Sequence, residues 1–384
     1  MKLAVKQQID SVLGYTLITF NIILAKFLGF ILRRNHGVHN TPDSIVFIKM
    51  LGLGSIFMAL DAIQTIKQKH PSSRIILVCG KGIKSGIEPL ELFDEIWEIR
   101  ENSLLELITS SLQTLSKCWK IRKLWIVDLE VYSKLSTVFS LWTMGINRFG
   151  FYLNSVWFRL NLNSHNVFFN EFILVEENYK RIAFEMDCKE IIKFQAPRSF
   201  IKHNVVPSYI AINNTCSELS KERIAPDSLI KDIIDFIVEK TDFKIALLGA
   251  PSDKETNELF IQKNLSESCK SKIENIAGRF SFSEYYQFLN NETILLVTID
   301  TGPLHFARRL GVPTISLWGP THPATLHVED ENNLSIYIGL SCSPCVHKIG
   351  ILPCKGDNIC MKNLNSQIVI QKINMIISNK YVKV

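Results

Sequence analysis

The sequence predicts an α/β chain: two Rossmann-like domains, each built on a parallel sheet, with an N-terminal apolar helix ahead of them. Three observations carry this. Over 384 residues, 47% of them hydrophobic, short apolar runs alternate with helical patterns, which leaves room for two sizeable cores. Two polar, glycine-containing turns follow buried strands, one in each half, as at the carboxyl edge of an open parallel sheet. A predominantly apolar stretch, Val12 to Leu32, precedes both. The expected boundaries are 1–40 for the apolar helix and its linker, 41–205 for the first domain, 206–365 for the second, and 366–384 for a terminal helix. The interdomain linker is expected within residues 180–206, around Pro197 and Pro207.

The apolar stretch is long enough to span a bilayer, yet it contains Thr16, Thr19, Asn21 and Lys26, and each polar group weakens a spanning assignment. Arg33 and Arg34 follow at once, Lys2 and Lys6 come before, and no small-residue cleavage site intervenes, which argues against a secretory signal. Leu13, Leu17, Phe20, Leu24, Phe27 and Ile31 recur at helical spacing. An interfacial helix lying on a membrane through residues 12–34 is the leading expectation, and a helix packed on the protein itself or on a second subunit is the alternative.

In the first domain, Ile45 to Lys49 reads as a buried strand, Gly52-Leu53-Gly54-Ser55 as a tight loop and Ile56 to Lys67 as a helix. Pro71 leads into a strand at Arg74 to Cys79, and Leu124 to Asp128 forms another, with Asp128 and Glu130 at its end. Gly150-Phe151 closes this half. In the second domain, Ser208 to Asn213 is a strand, Asp227 to Glu239 a helix, and Phe243 to Leu248 a strand ending in Gly249-Ala250-Pro251-Ser252-Asp253. Ser281 to Leu289 is a helix, and Ile294 to Ile299 a further strand.

That last strand runs into Asp300-Thr301-Gly302-Pro303-Leu304-His305, then Gly311-Val312-Pro313, a buried strand and Gly319-Pro320-Thr321. Pro at the first helical position has no N–H to waste, Gly lets backbone approach a ligand, and the helix start attracts phosphate. His305, on the first turn, can donate to the same anion. Asp300 suits sugar hydroxyls. In isolation, Asp300-Thr301 could equally serve as a helix cap.

The segment resembles the C-terminal signature of glycosyltransferase family 9, the heptosyltransferase-type enzymes: Asp-(Ser/Thr)-Gly-Pro-x-His, a short helix, Gly-Val-Pro, an apolar strand and Gly-Pro-Thr. The resemblance reaches both halves and leaves residues 150–205 and the first forty weakly covered. It implies a GT-B fold, with the active site between the two domains. It also implies inverting transfer of a sugar, ADP-heptose being the likeliest donor by analogy, to a lipopolysaccharide-core or similar surface-glycan acceptor, with no cofactor required for transfer. Donor binding would draw on Gly54, Gly249, Asp300, Thr301, Gly302, Pro303, Leu304, His305, Gly319, Pro320 and Thr321. The family's Lys before a Trp-Pro pair corresponds to Arg223, if Pro226 is matched to that Pro; Lys221 is the alternative. Residues 150–205 would carry the acceptor-choosing loops, and the last helix, about Gln367 to Ser378, would return to the first domain.

One departure bears on mechanism. Where heptosyltransferases carry Gly-Asp after the first strand, with that Asp as general base, this chain has Gly54-Ser55. A serine hydroxyl is too weak a base at neutral pH to act alone. Three readings follow: another carboxylate supplies the base, Glu130 first and Asp128 or Asp61 after it; the acceptor needs little deprotonation; or the protein binds a donor without transferring it, as a scaffold. No Gly-x-Gly-x-x-Gly or Gly-x-Ser-x-Gly pattern supports a dehydrogenase or an α/β-hydrolase.

Nine cysteines are present. Five stand singly, as suits a reducing cytoplasm. Cys342, Cys345, Cys354 and Cys360 cluster with ligand-like spacing, consistent with a structural zinc or iron site, with reduced thiols or with a disulfide; His347 is a possible replacement ligand. No basic recognition helix accompanies them, so nucleic acid is not an expected partner. A net charge of +6 is modest for this length and suits an enzyme at the cytoplasmic face of the inner membrane.

Overall fold

The computed structural model describes residues 3–202, 205–216, 221–346, 348–349 and 352–381. The chain forms two compact units, residues 1–195 and 196–384. In order, the first unit contains α1 (Leu3–Leu32), β1 (Ser44–Lys49), α2 (Leu53–Lys69), β2 (Arg74–Gly80), α3 (Lys81–Ile87), β3 (Glu95–Ile99) and α4 (Leu104–Trp119). It continues with β4 (Leu124–Asp128), α5 (Lys134–Trp142), β5 (Asn147–Tyr152), β6 (His165–Phe168) and α6 (Val175–Glu185). The second unit contains β7 (Tyr209–Asn213), α7 (Asp227–Lys240), β8 (Lys244–Leu247), α8 (Lys254–Asn264), α9 (Glu267–Lys270), β9 (Ile273–Asn275) and α10 (Phe282–Glu292). Then come β10 (Thr293–Ile299), α11 (Gly302–Arg309), β11 (Thr314–Trp318), β12 (Asn333–Tyr337), α12 (Ile359–Lys362) and α13 (Ser366–Tyr381).

Each unit holds a six-stranded sheet, ordered β3-β2-β1-β4-β5-β6 in the first and β12-β11-β10-β7-β8-β9 in the second. Every pairing is parallel. The central strands are mostly apolar because helices cover both faces: β1, β4, β10 and β11 are buried at every position. In each sheet the order reverses once, between β1 and β4 and between β7 and β10, the point at which open parallel sheets bind their ligands. The doubly wound α/β fold of the two units is the one the sequence predicts.

The units divide at Gln195, inside the expected linker, and the turn Arg198–Phe200 is built into the second unit. Phe200 is buried against Tyr286, and its carbonyl accepts from the Asn291 amide at 2.7 Å. Upstream, the Thr65 hydroxyl and the Asp61 carboxylate on α2 accept from the amides of Ile192 and Phe194, both at 2.9 Å. The terminal helix α13 packs in its own unit: Val369, Ile373, Ile376 and Ile377 are buried in the second core with residues of α7, β11 and β12.

Helix α1 is docked on the first unit, as in the alternative reading of that segment. Asp10 accepts from the Ser133 hydroxyl at 2.7 Å and from the amides of Lys134 and Leu135, so it caps α5. Asn21, fully buried, accepts from Trp142 Nε1 at 2.8 Å. Gly14 admits the Lys134 side chain, whose Cβ lies 2.6 Å from where a Cβ on Gly14 would sit. Among the described residues α1 supplies the one helical segment long and apolar enough to cross a membrane, Gln8–Leu32.

Candidate functional site

In the second unit, the β10–α11 turn and the loop after β7 meet at the reversal of strand order. Thr301 occupies the N-cap of α11 and makes no side-chain cap bond, and Pro303 lies in the first turn. The turn is therefore not consumed by capping. Asp300 is buried, with Arg223 Nε 3.5 Å from one carboxylate oxygen and His305 Nε2 3.7 Å from the other. Arg223 also donates to the Asp300 carbonyl at 3.1 Å. Burial pushes the Asp300 carboxyl up, but the His305 hydrogen bond and the Arg223 guanidinium outweigh it and hold it below its ordinary value. The arrangement fixes a guanidinium and an imidazole beside a helix start, as an anion requires. His305 Nδ1 is buried with no hydrogen-bond partner among the described residues.

Arg223 lies in the single helical turn Lys221–Arg223; Lys221 is exposed and takes no part in the cluster with Asp300. The residue that steers this turn is one the sequence reading missed. Asn214, just past β7, accepts from the Ala225 amide and donates to the Ala225 carbonyl, both at 2.9 Å. An Asn after a strand has no motif of its own, and its partner lies eleven residues on, so only the fold exposes the role. Gly302 opens α11, whereas Leu304 is fully buried and offers no side chain to a ligand. Gly249 is a packing glycine: a Cβ there would lie 2.8 Å from Cβ of Asp253. Gly319, Pro320 and Thr321 are buried at the end of β11.

In the first unit, Gly52 takes a left-handed φ of 80° as the N-cap of α2, so Gly54 and Ser55 belong to the first helical turn rather than to a loop. The Ser55 hydroxyl donates to the Gly52 carbonyl at 2.7 Å and is hydrogen-bonded to Tyr179. Glu130 does not stand free toward an acceptor. Its Oε1 accepts from the amides of Met50 at 2.7 Å and Leu51 at 2.9 Å, and its Oε2 from Lys49 Nζ at 3.0 Å. Burial pulls the Lys49 ammonium down, yet Glu130 and its neighbours outweigh it and hold it above its ordinary value. Asp128 is wholly buried, 3.4 Å from Arg159 and 3.0 Å from the Ser136 hydroxyl. Burial raises the Asp128 carboxyl, and Arg159 only partly offsets that. Glu130, the first candidate for the base, and Asp128, a weaker one, are thus both engaged in ion pairs and hydrogen bonds beside this loop.

The comparisons with known proteins agree with this geometry. The model of "Glycosyltransferase family 9 (heptosyltransferase)" matches residues 191–355. Lipooligosaccharide heptosyltransferase 2 of Campylobacter jejuni is 32% identical over 88 residues, 23% of this chain and 27% of that protein. The chain thus matches only about a quarter of that curated relative's length. The structure titled E. coli ADP-heptose lps heptosyltransferase II superposes with a TM-score of 0.67 at 15% identity, covering 88% of this chain and 99% of that one. Residues 191–355 are similar to family 9, the heptosyltransferase family. A family 9 glycosyl transferase from Veillonella parvula superposes with a TM-score of 0.69 at 14% identity, covering 88% and 98%. At such identities the likeness establishes the fold.

The family 9 signature is braced from behind by the cysteine-rich segment. Cys342, Cys345, Cys354 and Cys360 line one small cavity together with Pro320. The amides of Cys345 and Val346 donate to the Pro320 carbonyl at 3.0 and 3.2 Å, and the Ser343 hydroxyl donates to the Gly319 carbonyl. A Cβ on Gly319 would lie 2.8 Å from the Cys360 sulfur. All four cysteines are free thiols, so no disulfide forms there. They share the cavity without composing a ligand set: among the described residues no three or more His, Cys, Asp or Glu are arranged to hold a metal ion. His347 lies outside the described residues.

Proposed function

We propose that this chain is a glycosyltransferase that moves a sugar from a nucleotide-sugar donor to a saccharide acceptor of a lipopolysaccharide core or similar surface glycan, with inversion. ADP-heptose is the proposed donor, by analogy with the family and with the relatives' printed names. The observation that carries the reading is the Arg223–Asp300–His305 cluster at the start of α11. As the sugar leaves, negative charge grows on the nucleoside diphosphate. Arg223, oriented by Asp300, would meet that charge with paired N–H groups, while the first turn of α11 and His305 add further donors. Asp300 acts here by positioning Arg223 and His305.

A second reading has its own support. Ser55 stands where heptosyltransferases carry their base, and Asp128, Glu130 and Asp61 are engaged inside the first unit. A protein that binds the nucleotide sugar without transferring it fits that set. Calorimetric titration with a panel of nucleoside diphosphates and nucleotide sugars, followed by a transfer assay, separates the two: binding with turnover supports the enzyme, binding alone supports the scaffold, and no binding by any member overturns both.

We also propose that α1 rests on the cytoplasmic face of the inner membrane. Its docked side presents Asp10, Gly14, Ile18 and Asn21, whereas Phe20, Ile23, Phe27 and Phe30 point outward, Phe30 being 73% exposed. A helix bathed in water buries its bulky residues and exposes its polar ones; this inversion suits an apolar exterior.

A further inference from the structure

We propose that the cavity at the carboxyl end of α1 is a headgroup site for an anionic phospholipid, an inference that rests on the membrane contact proposed above and gives it a lipid preference. The cavity measures about 540 Å³, and its walls include Arg34, Asn35, Trp119, Arg122, Thr143 and Met144. Two guanidinium groups line it and, among the described residues, no carboxylate does, which is the charge pattern of a phosphate site. Arg34 is oriented before any ligand arrives: its Nη1 donates to the Met144 carbonyl at 2.7 Å, and the guanidinium has further N–H groups to offer a phosphate.

The cavity is built onto the apolar helix. Arg34 lies two residues beyond the end of α1. Trp119 Nε1 donates to the Trp142 carbonyl, and Trp142 Nε1 donates to Asn21 on α1, each at 2.8 Å. A hydrogen-bonded path thus joins the cavity wall to the middle of the docked helix. Trp119 is 57% exposed at the rim, an amphipathic ring suited to the headgroup level of a bilayer. A phospholipid satisfies both halves of this construction: its phosphate reaches Arg34 and Arg122, and its acyl chains lie in the layer that covers Phe27, Phe30 and Ile31. A free phosphate would use the arginines and leave the outward apolar face of α1 bare.

Flotation of the full-length protein with vesicles of phosphatidylcholine alone, or mixed with phosphatidylglycerol, tests this. The wild type should bind both and prefer the anionic mixture. Arg34→Gln with Arg122→Gln should weaken binding to the anionic vesicles roughly thirty-fold, from about a fivefold contribution per arginine near an anionic surface, and leave binding to the neutral ones unchanged. Thermal unfolding of the full chain and nucleotide binding by calorimetry should not move, which excludes misfolding of either unit. Changing the exposed Lys240 and Lys263 of the second unit to Gln should have little effect on vesicle binding. If the arginine variant keeps the anionic preference, the headgroup site is wrong while the membrane helix stands. If the wild type floats with neither vesicle, the membrane contact fails and takes the site with it. Inorganic phosphate bound by the wild type as tightly as the anionic vesicles, and lost in the arginine variant, would assign the cavity to a free anion and overturn the lipid assignment.

Discussion

The two units share one strand order and place a loop pair at the same point of reversal, yet they use their carboxylates in opposite ways. In the second unit Asp300 holds Arg223 and His305, two groups that can meet an anion. In the first, Glu130 and Asp128 are tied to Lys49, Arg159 and backbone amides, and their work is to set the loop that leads into α2. The same topology therefore groups a guanidinium and an imidazole at a helix start in one half and ties its carboxylates to a loop in the other. Position at a strand's carboxyl end is thus insufficient to name a catalytic acid; what matters is whether its oxygens are already satisfied.

The sharpest way to break this contrast is at Asp300. Asp300→Ala removes the group that orients Arg223 and leaves a partly buried guanidinium without its carboxylate, so nucleotide affinity should fall on the order of a thousandfold, about 4 kcal/mol. Calorimetry reads this directly, and wild-type affinity in the variant would remove the donor site from the second unit. The pH dependence has a definite sign. Because the folded Asp300 carboxyl lies below its ordinary 3.8, its contribution to stability is whole above that value and is lost as pH falls through the lower folded value. Asp300→Asn should flatten that part of the acid-unfolding curve.

Glu130→Gln comes next. The amide oxygen can still accept from Met50 and Leu51, but its NH₂ would face Lys49 Nζ, leaving a buried ammonium unpaired. Stability of the first unit should drop by about 3 kcal/mol, measured by denaturant unfolding, and Lys49→Met in the same chain should restore most of it. A base role predicts the reverse pattern: lost transfer with little change in stability, and no rescue by the second substitution. Ser55→Asp tests the complementary point. If the first unit lacks only the base, returning a carboxylate at the start of α2 should raise the transfer rate ten- to a hundredfold at unchanged donor affinity. An unchanged rate would mean that Ser55 does not stand where the acceptor hydroxyl reacts.

What the sequence disclosed, and what it hid, follows the same division. Asp300 to His305 was legible because glycine, proline and a strand end constrain the backbone locally, and local constraints can be read along the chain. The apolar strands were legible because burial on both faces leaves continuous apolar runs. The bonds of Glu130 were not legible because they come from Lys49, eighty-one residues away, and from two amides. Those of Asp128 were not legible because Arg159, fully buried, comes from a segment with no recognisable pattern. Asn214 escaped because its partner is a backbone unit. The inward side of α1 was invisible for a related reason: Asp10 and Asn21 look like flaws in an apolar stripe until Ser133 and Trp142 are seen to meet them.

The smallest expected effect lies behind the donor motif, where the two kinds of residue meet. The backbone of Cys345 and Val346 holds the Pro320 carbonyl, while the four thiols line the cavity on the other side. Replacing Cys342 and Cys345 together by Ser swaps sulfur for a smaller, more polar oxygen at one half-buried and one buried position. If the segment acts through its backbone and packing, the pair should lower stability by about 1 kcal/mol and weaken nucleotide binding only severalfold, since Arg223 and Asp300 are untouched. Elemental analysis of the purified wild type belongs with that measurement. Stoichiometric zinc or iron, lost in the double variant together with several kcal/mol of stability, would mean that the four sulfurs draw together on a metal, and that the donor loop is held by coordination rather than by the hydrogen bonds to Gly319 and Pro320.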